Sequence, residues 1–590
     1  MTVPKMKKLM TGNEAVARGA FEAGCMVATA YPGTPSTEIL ENVATYREIY
    51  SQWSPNEKVA VEVACGASIA GARALSAMKV VGLNVAMDPL MTFSYLGAVG
   101  GLVIIVADDP GCSSSQTEQD NRLVAPFAKI PLFEPSDSQE CKDYIKEAFQ
   151  LSEQYATPVL FRMTTRVCHS KSIVEWGDRV EIPVKEYVKT GNYCSTPSLA
   201  RKNHAKLEEK LIQLEEYANS CPLNKTEWGG RDIGVVTSGI SYQHAREVFG
   251  DSVSYLKLGL THPVPRRLIQ SFAAAVKKIY VIEENEPYLE NSLKQAGIEC
   301  IGKELLPKLY ELTPGIIKDA FLPGEEPETY HRGIRVPDRP PVLCPGCPYR
   351  TVFYAVSKYK DVVAANDIGC YTLGMMPPLN VTDTIICMGA GITAGIGMEK
   401  SFLRSGQQKK VFGFIGDSTF FHSGITGLID AVWNKSSMAI CILDNGTTAM
   451  TGHQDNPGTG KSLMGEEAPV IDIEKIVRAV GVKDENVRVV DAYNLREVET
   501  AVKAAHEARE VFVIIAKQPC PLMKEVQKKR GKMFCRVEQD KCKHCNICLK
   551  IGCPAIVLKE NDISISQEMC NGCDLCRQVC KFDAIVRVGE

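Results

Sequence analysis

Continuous apolar runs, rather than alternating ones, mark the strand-like parts of this chain. Residues 102–107 (LVIIVA) run directly into Asp108-Asp109-Pro110-Gly111, as a parallel strand buried on both faces runs into a loop. Residues 411–415, 438–443 and 511–516 form three more apolar runs, separated by segments with helical spacing. Between these groups, 233–239 (IGVVTSG), a helix from Ser241 and the run 278–285 (KIYVIEEN) repeat the pattern. Strands alternating with helices predict several doubly wound α/β domains with parallel sheets. Residues 62–78 (EVACGASIAGARALSAM) are rich in small side chains and predict one tightly packed helix. Residues 201–216 predict a charged, solvated helix with no evident chemistry.

The pattern divides the chain into a first α/β block at 1–175, a charged helical connection at 176–229 and a second α/β block at 230–320. Residues 321–341 carry five prolines among many charges and read as a linker. A third α/β block follows at 342–525, and a cysteine-rich tail at 534–590.

Composition narrows the function. The 590 residues are 45% hydrophobic and 23% charged, as in a soluble globular protein and unlike a disordered one. A net charge of −3 argues against a large nucleic-acid surface. The longest apolar run, near 96–107, falls short of the ~20 residues that a membrane span needs. The opening MTVPKMKKLMTGNEAV has lysines but no apolar stretch behind them, unlike a secretory signal. The expected location is cytoplasmic, with no nucleic-acid or membrane partner.

Cysteine changes the picture most. Nine of the 23 cysteines lie in the last 56 residues, and such a cluster in a large cytosolic chain points to metal. The tail reads Cys542-x2-Cys545-x2-Cys548-x4-Cys553-Pro554, then Cys570-x2-Cys573-x2-Cys576-x3-Cys580. Two-cluster bacterial ferredoxins use C-x2-C-x2-C-x3-C-P, with the fourth cysteine ligating the other cluster. Three thiolates on one tight loop reach three irons, and the fourth comes from elsewhere. By that rule one 4Fe-4S cluster takes Cys542, Cys545, Cys548 and Cys580, and the other takes Cys553, Cys570, Cys573 and Cys576. The first motif carries one extra residue before Cys553, and Lys581 stands where proline is expected. Two structural zinc knuckles are the alternative. Cys535 lies outside both motifs and reads as no ligand.

In the third block, two predicted strands end in Gly416-Asp417-Ser418 and in Asp444-Asn445-Gly446-Thr447. In a parallel sheet both loops lie on the same edge. Asp417 and Asn445 then offer a carboxylate and an amide oxygen to one hard cation, the sparse oxygen set magnesium takes with phosphates. Two ordinary strand-end loops are the plainer reading.

This pair resembles the thiamine-diphosphate motif, GDG followed by NN, with Ser418 and Asp444 as departures. The resemblance implies that Gly416, Asp417, Ser418, Asn445, Gly446 and Thr447 bind the cofactor. Asp417, Asn445 and the Thr447 carbonyl would hold magnesium. Cys344-Pro-Gly-Cys347, Cys370 in DIGCYTLG and Cys520 in KQPCPLM resemble the cysteine order in the thiamine subunits of 2-oxoacid:ferredoxin oxidoreductases. That likeness implies a third, proximal 4Fe-4S cluster. Cys387 and Cys441 fall in apolar segments and read as core.

In the first block, Tyr31-Pro-Gly-Thr-Pro-Ser-Thr-Glu38 resembles the YPITPS segment of the same family, and Glu62-x8-Gly71-Ala72 resembles its cofactor-activating glutamate. The likeness implies an aminopyrimidine-binding domain, a transketolase C-terminal-like middle domain with no catalysis, a diphosphate domain and a two-cluster ferredoxin. It assigns Glu62 to the ring N1′ and Thr34 to the substrate. Arg122 is a candidate for the substrate carboxylate, and His422, with His453, for polarising the 2-oxo group or the diphosphate.

The order of parts, with CPGCPYR and DIGCYTLG, resembles the family's members that act on aryl pyruvates. It implies that an aryl pyruvate (indolepyruvate, phenylpyruvate or hydroxyphenylpyruvate), coenzyme A and oxidised ferredoxin give aryl-acetyl-CoA, CO2 and reduced ferredoxin. It further implies a smaller beta subunit, an α2β2 assembly and an anaerobic cytoplasm. Two alternatives stay open: an aliphatic or branched 2-oxoacid as substrate, and an electron-transfer subunit with a degenerate thiamine site.

Overall fold

A computed structural model of the chain describes residues 6–189, 193–324, 336–337, 339–531 and 533–589. They fall into two compact units, Met1–Gly333 and Ile334–Glu590. The predicted linker at 321–341 lies mostly outside the described residues, although its first residue closes the helix Pro314–Phe321.

The first unit is built on a seven-stranded sheet. Its strands run, in order across the sheet, Leu260–His262, Leu132–Phe133, Val159–Thr164, Leu102–Asp108, Ala74–Lys79, Val27–Ala30 and Tyr50–Trp53. All neighbours are parallel except the first pair. Leu102–Asp108 is buried along its whole length, which explains its unbroken apolar sequence. The edge strand Leu260–His262 comes from beyond residue 175, so the sheet is completed by the middle segment. A second sheet orders Lys278–Ile282, Ile233–Ser238, Ser254–Leu258 and Lys225–Glu227. Its last strand is antiparallel and precedes residue 230.

One prediction fails here. Residues 62–78 are not one helix. The helix is Glu57–Ile69, capped by Asn56, whose side chain accepts the Val59 N–H at 2.9 Å. Gly71 then adopts φ +93, a conformation that costs glycine little and other residues much. Ala74–Lys79 continues as a strand paired with Leu102–Asp108. Ala, Leu, Arg and Met favour a helix locally, and the pairing of Ala74–Lys79 with a strand on each side overrides that preference.

The second unit holds a six-stranded, wholly parallel sheet. Its order is Thr384–Ile385, Val362–Asn366, Lys410–Gly416, Ala439–Asp444, Phe512–Lys517 and Val487–Asp491. Alternate residues of one strand feed two cores. Phe412, Phe414, Cys441 and Leu443 pack on one face, and Val411, Ile415, Ile440 and Ile442 on the other. Cys441 is core as expected, but Cys387 is exposed, because its strand stops at Ile385.

The tail forms two small antiparallel pairs, Phe534–Val537 with Ile585–Val588 and Ile556–Lys559 with Asp562–Ile565. Its core is little more than Ile551, Ile556, Ile563, Leu575, Val579 and Ile585 around the cysteines. A domain of that size ordinarily needs metal or disulfide support. No helix among the described residues is long and apolar enough to cross a membrane.

Candidate functional site

The strands Lys410–Gly416 and Ala439–Asp444 are neighbours in register, with Gly416 opposite Leu443. Their carboxyl ends therefore place Asp417 and Asn445 on one sheet edge. Both are buried. Asn456 Nδ2 donates to Asp417 Oδ2 at 2.9 Å, and the Thr447 N–H donates to Asn445 Oδ1 at 3.2 Å. Burial and the nearby Asp444 carboxylate push Asp417 up to about 7. Asp444 is itself pushed up by burial, against the pull of Lys517. A buried carboxyl whose ionisation is opposed by a half-buried neighbouring carboxylate fits a hard cation, which reverses that penalty. The two departures from the thiamine motif are accommodated. Ser418 Oγ accepts the Thr448 hydroxyl at 2.9 Å, and Asp444 Oδ1 accepts the Gly446 N–H at 3.2 Å. His422 is buried on the turn Phe420–Gly424 that follows Asp417, with its Nδ1 3.0 Å from Ser423 Oγ.

The cysteines gather around this edge. The Cys520 N–H donates to the Asn445 carbonyl at 3.0 Å, and Cys520 Sγ lies 3.5 Å from His453 Nε2. Cys370 is within electrostatic reach of Cys520 and Cys344, and Cys347 of Cys370 and Cys344. Burial pushes the Cys370 thiol up to about 12 and raises Cys347 and Cys520 as well. Thiols buried together are poor thiolates alone, and metal binding removes that cost.

The tail keeps its two quartets interleaved. Cys548 is in reach of Cys545, Cys580 and Cys542, whereas Cys573 is in reach of Cys553 and Cys570. A small cavity is lined by Cys553, Cys570, Cys573 and Cys576. The extra residue before Cys553 is absorbed by the tight turn Ile547–Ile551 and by Gly552 at φ +70. Cys535, set aside by spacing, also lines that cavity and donates its N–H to Cys570 Sγ at 3.3 Å. Among the described residues no three His, Cys, Asp or Glu side chains close on a single-ion site. A four-iron cube spaces its thiolates more widely than one zinc ion does.

The first unit offers a second sheet edge. Thr34 is half-buried in the loop after Val27–Ala30, and its carbonyl accepts Ser114 Oγ at 3.3 Å. Lys79, at the end of its strand, donates to the Ser114 carbonyl at 2.6 Å. Burial lowers the Lys79 pKa, against the pull of Asp109 and Glu57. Glu57 opens the helix Glu57–Ile69, is only 4% exposed and lies against Gly82.

The structure bears on two further sequence-derived assignments. In the single chain the Glu62 side chain is 45% exposed and paired with Lys58 one helical turn away. Glu57, five residues earlier on the same helix, is buried. Arg122 is 1% exposed and fully engaged within the protein. Its donors reach Asp120 (2.6 Å), Glu283 (2.7 Å) and the carbonyls of Glu284 (2.7 Å) and Glu286 (2.9 Å). It is a buried ion-pair hub with no fork left for a substrate. Truncating it leaves buried Glu283 without its ion-pair partner and Asp120 with only the more distant Arg162 at 3.7 Å. Arg122→Ala is therefore expected to cost about 3–5 kcal/mol in urea unfolding. A raised KM with unchanged unfolding would restore the substrate role.

Comparison with known proteins agrees with this layout. The profile for the pyruvate flavodoxin/ferredoxin oxidoreductase thiamine-diphosphate-binding domain matches residues 18–214. That for the C-terminal TPP-binding domain of thiamine pyrophosphate enzymes matches 367–516, and that for a 4Fe-4S binding domain matches 563–586. Indolepyruvate oxidoreductase subunit IorA of Archaeoglobus fulgidus is 41% identical over 615 residues, covering 98% of this chain and 97% of the relative. Its counterpart in Pyrococcus horikoshii is 40% identical over 637 residues, covering 100% and 98%. The 2-oxoglutarate synthase subunit KorA of Methanothermobacter thermautotrophicus is 25% identical over 357 residues, covering 50% of this chain and 93% of that one. With thiamine-diphosphate and iron–sulfur domains in one polypeptide and full-length relatives of this likeness, the chain belongs to the indolepyruvate oxidoreductase subunit IorA family.

Proposed function

We propose that this chain is the thiamine-diphosphate subunit of an aryl-pyruvate:ferredoxin oxidoreductase. An aryl pyruvate, coenzyme A and two oxidised ferredoxins would give aryl-acetyl-CoA, CO2, two reduced ferredoxins and a proton. The observation that carries the reading is the hydrogen bond from the Cys520 N–H to the Asn445 carbonyl. It ties a cysteine of the CxxC-linked set to the loop of the thiamine motif, so carbon chemistry and electron removal share one sheet edge.

Bound thiamine diphosphate supplies the nucleophilic carbon and the electron sink for decarboxylation. The protein's residues supply the rest. Asp417, Asn445 and the Thr447 carbonyl hold magnesium and with it the diphosphate, and His422 polarises that end. Gly416, Ser418 and Gly446 form the surrounding cradle. The ring nitrogen of the cofactor is assigned to the helix Glu57–Ile69, with the buried Glu57 preferred to Glu62 as the carboxyl that would hydrogen-bond it. Thr34 contacts the substrate. Three 4Fe-4S clusters are assigned to Cys344, Cys347, Cys370 and Cys520; to Cys553, Cys570, Cys573 and Cys576; and to Cys542, Cys545, Cys548 and Cys580. Single-electron carriers of this kind explain why a thiamine enzyme has a ferredoxin-like tail. A smaller beta subunit, an α2β2 assembly and an anaerobic cytoplasm complete the proposal.

The test is an anaerobic viologen-reduction assay with coenzyme A, with and without the small subunit. Indolepyruvate and phenylpyruvate are expected to turn over with a kcat/KM at least about tenfold above that of pyruvate and 2-oxoisovalerate. That ratio corresponds to ~1.4 kcal/mol of aromatic pocket selectivity. Preference for the aliphatic acids would overturn the aryl assignment.

A further inference from the structure

Arg350 sits on the helix Tyr349–Val356, three residues after Cys347, and is 2% exposed. Its guanidinium donates only to backbone carbonyls. Nε reaches the Cys344 carbonyl at 3.3 Å, and Nη2 reaches the carbonyls of Cys344 (3.2 Å) and Leu343. Nη1 reaches the carbonyls of Ile551 (3.2 Å) and Gly552, immediately before Cys553. Among the described residues it has no carboxylate partner.

A guanidinium stays protonated in proteins. A buried one without a counter-charge is costly, and carbonyl dipoles alone do not neutralise it. Arg350 lines the cavity formed by Cys553, Cys570, Cys573 and Cys576, and the ionisable groups in its reach are cysteines of two different sets, Cys344 and Cys347 on one side and Cys553 and Cys573 on the other. The same two sets are joined by other bonds. Asn571, between Cys570 and Cys573, donates to the Pro345 carbonyl at 2.7 Å, and Tyr493, whose hydroxyl donates to the Gly346 carbonyl at 2.7 Å, accepts Gln578, two residues after Cys576, at its own carbonyl at 2.7 Å. Thus the loop that carries Cys344 and Cys347 is fixed against the loop that carries Cys570 and Cys573, with the charge of Arg350 between them.

We propose that Arg350 is the shared counter-cation of two iron–sulfur clusters, the one on Cys344/Cys347/Cys370/Cys520 and the one on Cys553/Cys570/Cys573/Cys576. This rests on the cluster assignments made above. A cysteine-ligated cluster is anionic and gains one further negative charge on reduction. A fixed cation beside it stabilises the reduced form and raises the potential, as net charge and hydrogen bonding do generally in such clusters. One arginine between two clusters raises the potentials of both. Arg350 is a positioning and charge-compensating residue, since it touches neither substrate nor the reacting carbon.

The test is potentiometry followed by electron paramagnetic resonance on full-length Arg350→Gln and Arg350→Lys, with iron counted per chain. In Arg350→Gln the potentials of both flanking clusters are expected to move negative, with the Cys542/Cys545/Cys548/Cys580 cluster unchanged. In Arg350→Lys, which keeps the charge, both are expected to stay near those of the parent protein. If Arg350→Gln instead loses iron from the two flanking sites while Arg350→Lys retains it, the counter-charge role also holds. Unchanged potentials in Arg350→Gln, a shift in one cluster only, or equal shifts or equal iron loss in both variants would overturn it. Absence of iron–sulfur clusters from the parent protein would instead overturn the cluster assignments themselves.

Discussion

Glu57→Gln is expected to lower viologen reduction with indolepyruvate by roughly 10²–10⁴-fold, the usual scale for removing a positioned acid–base group. Glu62→Gln is expected to change it by no more than about twofold, in line with about ±0.5 kcal/mol for a surface substitution. The contrast follows from burial. Glu57 opens its helix with almost no solvent exposure and shares its surroundings with Lys79. Glu62 lies on the exposed face of the same helix, paired with Lys58. A carboxyl that must hold a proton against a ring nitrogen works best away from water. Glutamine keeps the shape and much of the hydrogen bonding, so both variants are expected to fold and to bind thiamine diphosphate. Loss of activity in Glu62→Gln with Glu57→Gln intact would return the role to Glu62.

Asp417→Asn is expected to abolish magnesium-dependent retention of thiamine diphosphate while making the metal-free protein more stable. The first effect follows from replacing the charged oxygen donor at the strand end. It is expected to weaken cofactor binding by more than about 100-fold, beyond the 10–100-fold typical of losing a group behind a ligand. The second effect has the opposite sign. Burial and Asp444 push Asp417 up to about 7 in the folded protein, above its value in the unfolded chain. Ionised Asp417 therefore costs stability at neutral pH without metal, on the order of a few kcal/mol, and that cost disappears as the pH falls. Asparagine carries no such charge and still accepts the Asn456 bond. Calorimetric titration with thiamine diphosphate and thermal unfolding in a chelator read the two effects separately. Undiminished binding in Asp417→Asn would remove Asp417 from the site.

Where burial leaves a mark on composition, the fold is legible. The runs at 102–107, 411–415 and 438–443 are strands because a parallel sheet buries both faces. The interleaved approach of the tail cysteines is legible because a ferredoxin-type loop spaces its thiolates for the cluster it would reach. Which glutamate serves the cofactor is not legible, because Glu57-x8-Gly66-Ala67 and Glu62-x8-Gly71-Ala72 have the same spacing. The structure places the two differently on one helix: Asn56 caps it one residue before the buried Glu57, and Glu62 lies on its exposed face. An asparagine followed by an acidic residue is an N-terminal signal in the sequence itself. Arg122 was misread for a different reason. Its partner Glu283 is 161 positions away, and no local pattern reveals a buried ion pair of that reach. Ser418 and Asp444 depart from the thiamine motif without disrupting it, because Thr448 and Gly446 supply partners for them.

Cooperation between a thiamine-dependent carbon centre and iron–sulfur carriers in this polypeptide is the core of the proposed function. It is tested most directly by electron paramagnetic resonance on the full chain reconstituted under argon with thiamine diphosphate, magnesium and its small subunit. Addition of indolepyruvate and coenzyme A is predicted to produce the signal of reduced clusters, with the same sites that dithionite reduces. Clusters that respond to dithionite but stay oxidised in the presence of 2-oxoacid and coenzyme A would contradict it.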